Sequence, residues 1–367
     1  MKHATIKDVA EAARCSTTLV SRVMNAPRKP DGSPDCVVNP KTAERIFEAV
    51  RALGYRPNKA AVSLRKKLRK RIGVILPDLS NQFFAGIAKH FEMLARENGY
   101  VVLFGSSNDC PEQLSNAAET FMEDGVDGII IIPSAGCGPH VKKIVDSGIP
   151  VVLTVRDIPD LHGVGKVLLD SESATEMILN HLIDNNYKQI DMLSINQRFS
   201  IVEEREQLYM GFMKERGLPY KIHHTTDSNT DLAIILEQAV RSGTDALYCI
   251  SASLPIRCIT AGKSMGIKFP DDISITGYDG GFIYEALLPS VTQVEFSREE
   301  IAEEVFDMLM KMVASREETP PCKWLKGKFM AGESTLRKPT FSNEIDDAKS
   351  NIKNAIESLH HILKGLN

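Results

Sequence analysis

Residues Thr5 to Asn25, TIKDVAEAARCSTTLVSRVMN, leave little choice but two short helices packed against each other. At about 100° of rotation per residue, Thr17, Thr18, Ser21, Arg22 and Asn25 share one arc of the second helix. Leu19, Val20, Val23 and Met24 occupy the opposite arc. Short hydroxyl and amide groups with a forked guanidinium, in place of Lys and Glu, suit base edges and phosphates. In the first helix, Thr5-Ile-Lys-Asp8 has the pattern of an N-terminal cap, and Ile6, Val9, Ala10 and Ala13 make an apolar stripe to hold the second. Together these features predict a helix-turn-helix whose second helix enters a major groove, with Thr5 also among the DNA-binding residues. The competing reading is an ordinary amphipathic hairpin inside a larger core.

Charge separates the two ends of the chain. Residues 1–71 carry 17 Lys or Arg against 6 Asp or Glu, net +11, and the rest carries 27 against 42, net −15. A basic head on an acidic body is expected where a nucleic-acid module precedes a domain that should not itself bind phosphate. At 367 residues there is room for two or three domains. The seven cysteines form no C-x-x-C pair and no grouping with metal-ligand spacing, so reduced thiols in a cytoplasm are expected, with no metal and no cofactor. No apolar run is long enough to span a membrane, and the N-terminus lacks a signal-peptide core.

After Asn25 comes a Pro/Gly/Asp-rich loop with Arg28 and Lys29, and then Asn39-Pro40 opens a third helix running to about Leu53, before Gly54. NKAAVSLRKKLRKR follows, ending in a basic run suited to phosphate. From Ile72 the pattern changes to short apolar strands alternating with helices. IGVILP, VVLFGSS, GIIIIP and PVVLTV form a first set, with helices from near Asn81, Pro111 and Cys137. KVLLD, IDMLS, ALYCI and SITGYD form a second, with helices near Ser173, Val202, Asp231 and Leu254. This predicts two successive α/β lobes. A helix from about Ser297 should return to the first lobe, and CKWLKGKFM should add a strand to the second. Ligands of open parallel sheets sit beyond the strands' carboxyl ends, which places LPDLSNQFF, TVRD and TGYDG at a cleft. In the tail, Ile345, Ile352, Leu359 and Leu366 recur at seven residues, with Ala348, Ala355 and Ile362 three residues after the first three, a heptad repeat suited to oligomerisation or to packing on the body.

ATIKDVAEAA, STTLVSRVMN, ALGYRPNKAA, SLR, RIGVILPDLSNQFF, VDGIIIIPS and ISITGYDG, in that order, resemble the lactose-repressor/galactose-repressor family of transcription regulators from Ala4 to about Leu336. The resemblance implies an N-terminal all-α helix-turn-helix domain plus an α/β, periplasmic-binding-protein-like effector domain of two lobes with parallel sheets. It implies a hinge helix over the segment from Asn58, folding on DNA and pushing Leu64 into the minor groove beside Arg65, a wedge that works in pairs and so requires a dimer. For the effector it implies Asp279 as acceptor of ligand hydroxyls, the loop of Asp78, Ser80, Asn81, Phe83 and Phe84 with Asn81 for polar contact and Phe83 for stacking, and Arg156 after the fourth strand. The chain departs from the pattern at several positions. Arg14-Cys15 replaces Gly-Val in the turn, Val62 a polar hinge residue, Val155 an Asp, and Ser251-Ala252 an Asn-Asp; Leu208 replaces an Arg, for which Arg205, one turn earlier, is the candidate substitute. The pocket has therefore been rebuilt relative to that pattern.

The expected domains are 1–57 helix-turn-helix, 58–71 hinge and basic linker, 72–338 the effector-binding and dimerisation body, and 343–367 the heptad helix. The expected function is a sequence-specific regulator, a repressor, binding a pseudo-palindromic double-stranded operator as a dimer, with a tetramer through the tail. A small effector, a sugar or sugar derivative, controls it allosterically. The alternatives are a cytoplasmic solute-binding receptor and an enzyme fused to a DNA-binding head. Against the enzyme, there is no G-x-S-x-G, no G-x-x-x-x-G-K and no H-E-x-x-H.

Overall fold

Capping sets the helix boundaries of the head. Helix α1 (Ile6–Ala12) starts at Thr5, whose hydroxyl accepts the Asp8 amide while the Asp8 carboxylate accepts the Thr5 amide at 2.7 Å, a reciprocal capping box. Helix α2 (Thr17–Asn25) is capped by Ser16 through the Leu19 amide, and α3 (Pro40–Ala52) by Asn39 with Pro40 in its first turn. Val9, Val20, Val23 and Ile46 are sealed from solvent between the three helices, with Ala10, Ala13, Ala43 and Ala49 letting them approach closely. At the turn between α1 and α2, Arg14 has φ +50°, the left-handed region where glycine is least strained.

The structure, a computed structural model, describes residues 4–26, 36, 38–55, 68–226, 229–315 and 321–336. The chain divides between Lys70 and Arg71 into two compact units. The hinge with Asn58, Val62, Leu64 and Arg65, the loop with Arg28 and Lys29, the heptad tail, and the side chains of Ile6 and Asn25 lie outside the described residues.

The body begins with β1 (Arg71–Leu76), β2 (Val101–Ser106), β3 (Gly128–Ile131), β4 (Val151–Thr154) and β5 (Gly165–Leu169), parallel in the order 5-4-3-1-2. Helices α4 (Gln82–Glu97), α5 (Pro111–Glu123) and α6 (Gly138–Asp146) make the crossovers. Both faces of this sheet are covered, which is why β3 and β4 read as unbroken apolar runs and are wholly buried. After α7 (Ser171–Asp184), β6 (Ile190–Ile195), β7 (Ile222–Thr225), β8 (Ala246–Cys249), β9 (Ser274–Tyr278) and β10 (Thr292–Glu295) build a second parallel sheet in the order 10-9-8-6-7. Its helices are α8 (Ser200–Glu215), α9 (Asn229–Arg241), α10 (Ser253–Met265) and the short α11 (Phe282–Ala286). Helix α12 (Arg298–Ser315) then returns to pack on α4 and the first sheet, as its sequence position predicts.

Two strand assignments are corrected. KVLLD, expected to open the second lobe, is β5 and pairs with β4 in the first sheet; the chain crosses only after Asp170, which caps α7 by accepting the Ser173 amide. CKWLKGKFM is two strands rather than one. β11 (Cys322–Leu325) runs parallel to β5 in the first sheet, and β12 (Lys328–Met330) runs antiparallel to β10 in the second. The Lys326-Gly327 step between them is a third crossing between lobes. The polar strands β7, IHHT, and β10, TQVE, carry no apolar run and escape a search for one.

Candidate DNA-reading face and effector cleft

In the head, packing and polarity divide α2 cleanly. Val20 and Val23 are buried and Leu19 and Met24 half-buried against α1 and α3, while Thr17, Thr18 and Arg22 are exposed and Ser21 is half-buried. Short donors and acceptors on a rigid, capped helix are what base-edge recognition needs. Thr5 is exposed, and its hydroxyl is engaged in the capping box.

In the body, the carboxyl ends of the strands from the two lobes meet, and Arg156 crosses the gap. It follows Val155, which has φ +66°, at the end of β4. Its Nη1 pairs with Asp109 after β2 and donates to the Pro133 carbonyl after β3, all in the first lobe. Its guanidinium lies 3.6 Å from the ring centre of Phe199, at the start of α8 in the second lobe. Beside it the Asp157 amide donates to Ser200 Oγ at 2.8 Å, a second link between lobes. Burial pulls the Arg156 pKa down and Asp109 opposes it. A cleft of about 340 Å³ opens against Arg156, walled by the loops that start α6 and α8.

Asp279, at φ +54°, forms a second cluster, with Arg205 and Arg298. Its Oδ1 accepts the Phe296 amide at 2.8 Å, while the Gly280 amide goes to Gln293, so Asp279 does not cap its own turn. Burial pushes its carboxyl up to about 6, against the opposing pull of Arg205 and Arg298. Arg205 is 4% exposed, donates from Nη1 to the Ile250 carbonyl and stacks 3.8 Å from the Tyr278 ring centre. Its Nε and Nη2 have no hydrogen-bond partner among the described residues. Arg205, the candidate substitute for the missing Arg, thus lies beside Asp279. Leu208 instead lines a groove between α7 and α8.

Arg298 opens α12 at the second crossing between lobes. It pairs with Glu295 at 2.9 Å, donates to the Asp279 carbonyl and lies 5.7 Å from the Phe83 ring centre. Glycines make its slot: a Cβ at Gly86 would stand 2.4 Å from its Cδ, and one at Gly281 2.9 Å from its Nη2.

The remaining expected residues are placed differently. Phe83 offers no open face for stacking, being 6% exposed and overlain by Arg298. Asn81 spends its side-chain oxygen capping α4 through the Phe83 amide. Asp78 is exposed and holds Ser80 through both its amide and its hydroxyl. Ser251 is half-buried, 3.5 Å from Ser253. Asp109, Phe199, Glu295 and Arg298 were not anticipated. Phe199, an aromatic in the polar loop INQRFS just ahead of a helix, is the one with a visible signal.

A helix-turn-helix head followed by a two-lobed α/β body of the periplasmic-binding-protein kind defines a ligand-responsive DNA-binding regulator. A family model for bacterial regulatory proteins of the lacI family matches residues 5–58, and one for periplasmic binding proteins and the sugar binding domain of the LacI family matches residues 69–331. The chain belongs to the LacI family, whose members are transcriptional regulators that bind DNA and small-molecule effectors and function as dimers. Among its relatives, the HTH-type transcriptional repressor PurR of Vibrio vulnificus (strain CMCP6) is 26% identical over 320 residues, 86% of this chain and 93% of that one. Catabolite control protein A of Priestia megaterium is 29% identical over 299 residues, 80% of this chain and 87% of that one. In fold it resembles the Lac repressor dimer bound to operator and the anti-inducer ONPF, with TM-score 0.78 at 20% identity, covering 91% of this chain and 99% of that one. Among the described residues no helix is long and apolar enough to cross a membrane.

Proposed function

We propose that this regulator is a cytoplasmic repressor that reads a pseudo-palindromic operator through Thr17, Thr18, Ser21, Arg22 and Asn25 of α2. Asn58, Leu64 and Arg65 of each hinge would act at the operator's centre, with Thr5 at the backbone. The carrying observation is the exposed face of α2 at Thr17, Thr18 and Arg22, set on a helix whose other face is the core of the head. In the body, Arg156, Arg205 and Asp279 are the proposed effector contacts, with Asp78, Asn81, Phe83 and Ser251 as supports. The effector is a sugar or sugar derivative: a buried carboxylate accepts paired hydroxyls, and forked guanidinium groups serve the ring's acceptors. The protein performs no chemistry on it, and no metal or cofactor takes part. The seven cysteines, none of them disulfide-bonded, suit a reducing compartment.

Selection of the full-length protein against random duplexes tests the head. Enrichment of two inverted half-sites is expected, and enrichment of no motif would overturn the operator reading. The tail, residues 343–367, is proposed to join dimers into tetramers. Unchanged dimers in sedimentation after its deletion would refute that role.

A further inference from the structure

Resting on the effector reading of the inter-lobe cleft, we propose that the effector carries an acid group, a carboxylate or phosphate, bound by the free edge of the Arg156 guanidinium between the N-terminal ends of α6 and α8. The side chain of Arg156 is 9% exposed, and its two hydrogen bonds among the described residues both leave from Nη1. Nε and Nη2, the edge that takes a carboxylate or phosphate in a two-point bond, carry none. The guanidinium plane is fixed from one side by Phe199, so that edge has a set direction. Arg156 lines the cleft of about 340 Å³, a volume suited to a small metabolite.

The walls of the same cleft favour negative charge. It is bounded by the first residues of α6, nine residues long, and α8, sixteen, and neither helix has a side-chain cap on its leading amides. Pro139 removes one amide from the first turn of α6, so what these ends offer an anion is the positive pole of two helices and the few leading amides that remain. The carboxylates at the cleft already have cations: Asp157 pairs with Lys166 at 2.7 Å, Glu203 with Arg198 at 3.5 Å, and Asp109 with Arg156 itself. Of these Asp109 is the one the ligand would meet as a rival. It is a quarter exposed and holds Nη1, so it can stay in place while the ligand takes the Nε–Nη2 edge, and its charge offsets part of the attraction that edge offers.

The test is calorimetric titration of the full-length protein with D-galactose, D-galactonate, D-galactose 6-phosphate and inorganic phosphate. At least one acid probe is expected to bind on the order of 10-fold or more tighter than the neutral sugar, the scale of a charge-assisted bond. Arg156→Gln should remove that margin, Arg156→Lys should keep part of it, and Asp109→Asn should widen it. A merely structural arginine would not produce that opposite pair of effects. Trp324, the single tryptophan, reports by fluorescence whether each variant's body is folded. Galactonate and galactose 6-phosphate distinguish a carboxylate from a phosphate ester, and phosphate alone tests the acid group without its sugar. Neutral sugar binding as tightly as the acids, or acid binding that survives Arg156→Gln, overturns the proposal while leaving the cleft as effector site. Binding by none of the probes counts against both.

Discussion

Asp279→Asn separates what the buried carboxylate costs the fold from what it does for the ligand. In the unfolded chain the group titrates near its ordinary 3.8, and in the body burial holds it at about 6 even after Arg205 and Arg298 have pulled it down. A proton is therefore bound more tightly in the folded state. The carboxyl costs nothing while protonated in both states, and stability falls as pH rises through 6. At 1.36 kcal/mol per pH unit, the full cost above pH 7 is about 3 kcal/mol, falling to roughly half of that at pH 5 and to a small remainder at pH 4. Asparagine is neutral throughout, keeps an oxygen for the Phe296 amide and tolerates φ +54°. Urea unfolding of the full-length chain, followed through Trp324 so that only the body is seen, should show the variant more stable by about those amounts. Effector binding should fall in the same variant, the usual tension between a strained site and stability. A variant less stable than wild type at pH 8, or a difference that does not change between pH 4 and 8, would refute the reasoning: attraction to the two arginines would then outweigh burial.

Three further outcomes concern the head. Arg14→Gly relieves a side chain at φ +50° and should stabilise the head by about 1 kcal/mol, read as slower amide exchange in α1 and α2; unchanged exchange would mean the turn holds no strain. Operator affinity that also drops would make Arg14 a phosphate contact. Arg22→Ala should cost about 1–3 kcal/mol on the operator and little on random DNA if it reads a base, and equal losses on both would reassign it to the backbone. Leu64→Ala should weaken operator binding and reduce DNA bending in a circular-permutation gel, with effector affinity unchanged; undiminished bending would remove the wedge.

The fold was legible wherever a local pattern suffices. Caps at Thr5, Asn39 and Asn81 and the apolar runs of β1, β3 and β4 are visible in a few consecutive residues, because hydrogen bonds over two or three positions and burial on both faces leave a local signature. Sheet membership has no such signature. KVLLD looks the same beside β4 as it would beside β6, and only the position of the crossing decides. The site divides in the same way. Asp279 and Arg156 stand in short motifs, and a missing Arg pointed to Arg205. Arg298 and Asp109 act through partners 19 and 47 residues away, separations that no periodicity records.

The segment from Cys322 to Met330 gives its first half to one lobe and its second half to the other. Its consequence is temporal. A growing chain emerges from the ribosome head first, so the helix-turn-helix can assemble while both lobes still wait for their last strand. For the interval in which some 250 further residues are made, a nascent chain would hold a finished DNA reader attached to a body with two open sheet edges, able to meet phosphate before it can answer an effector.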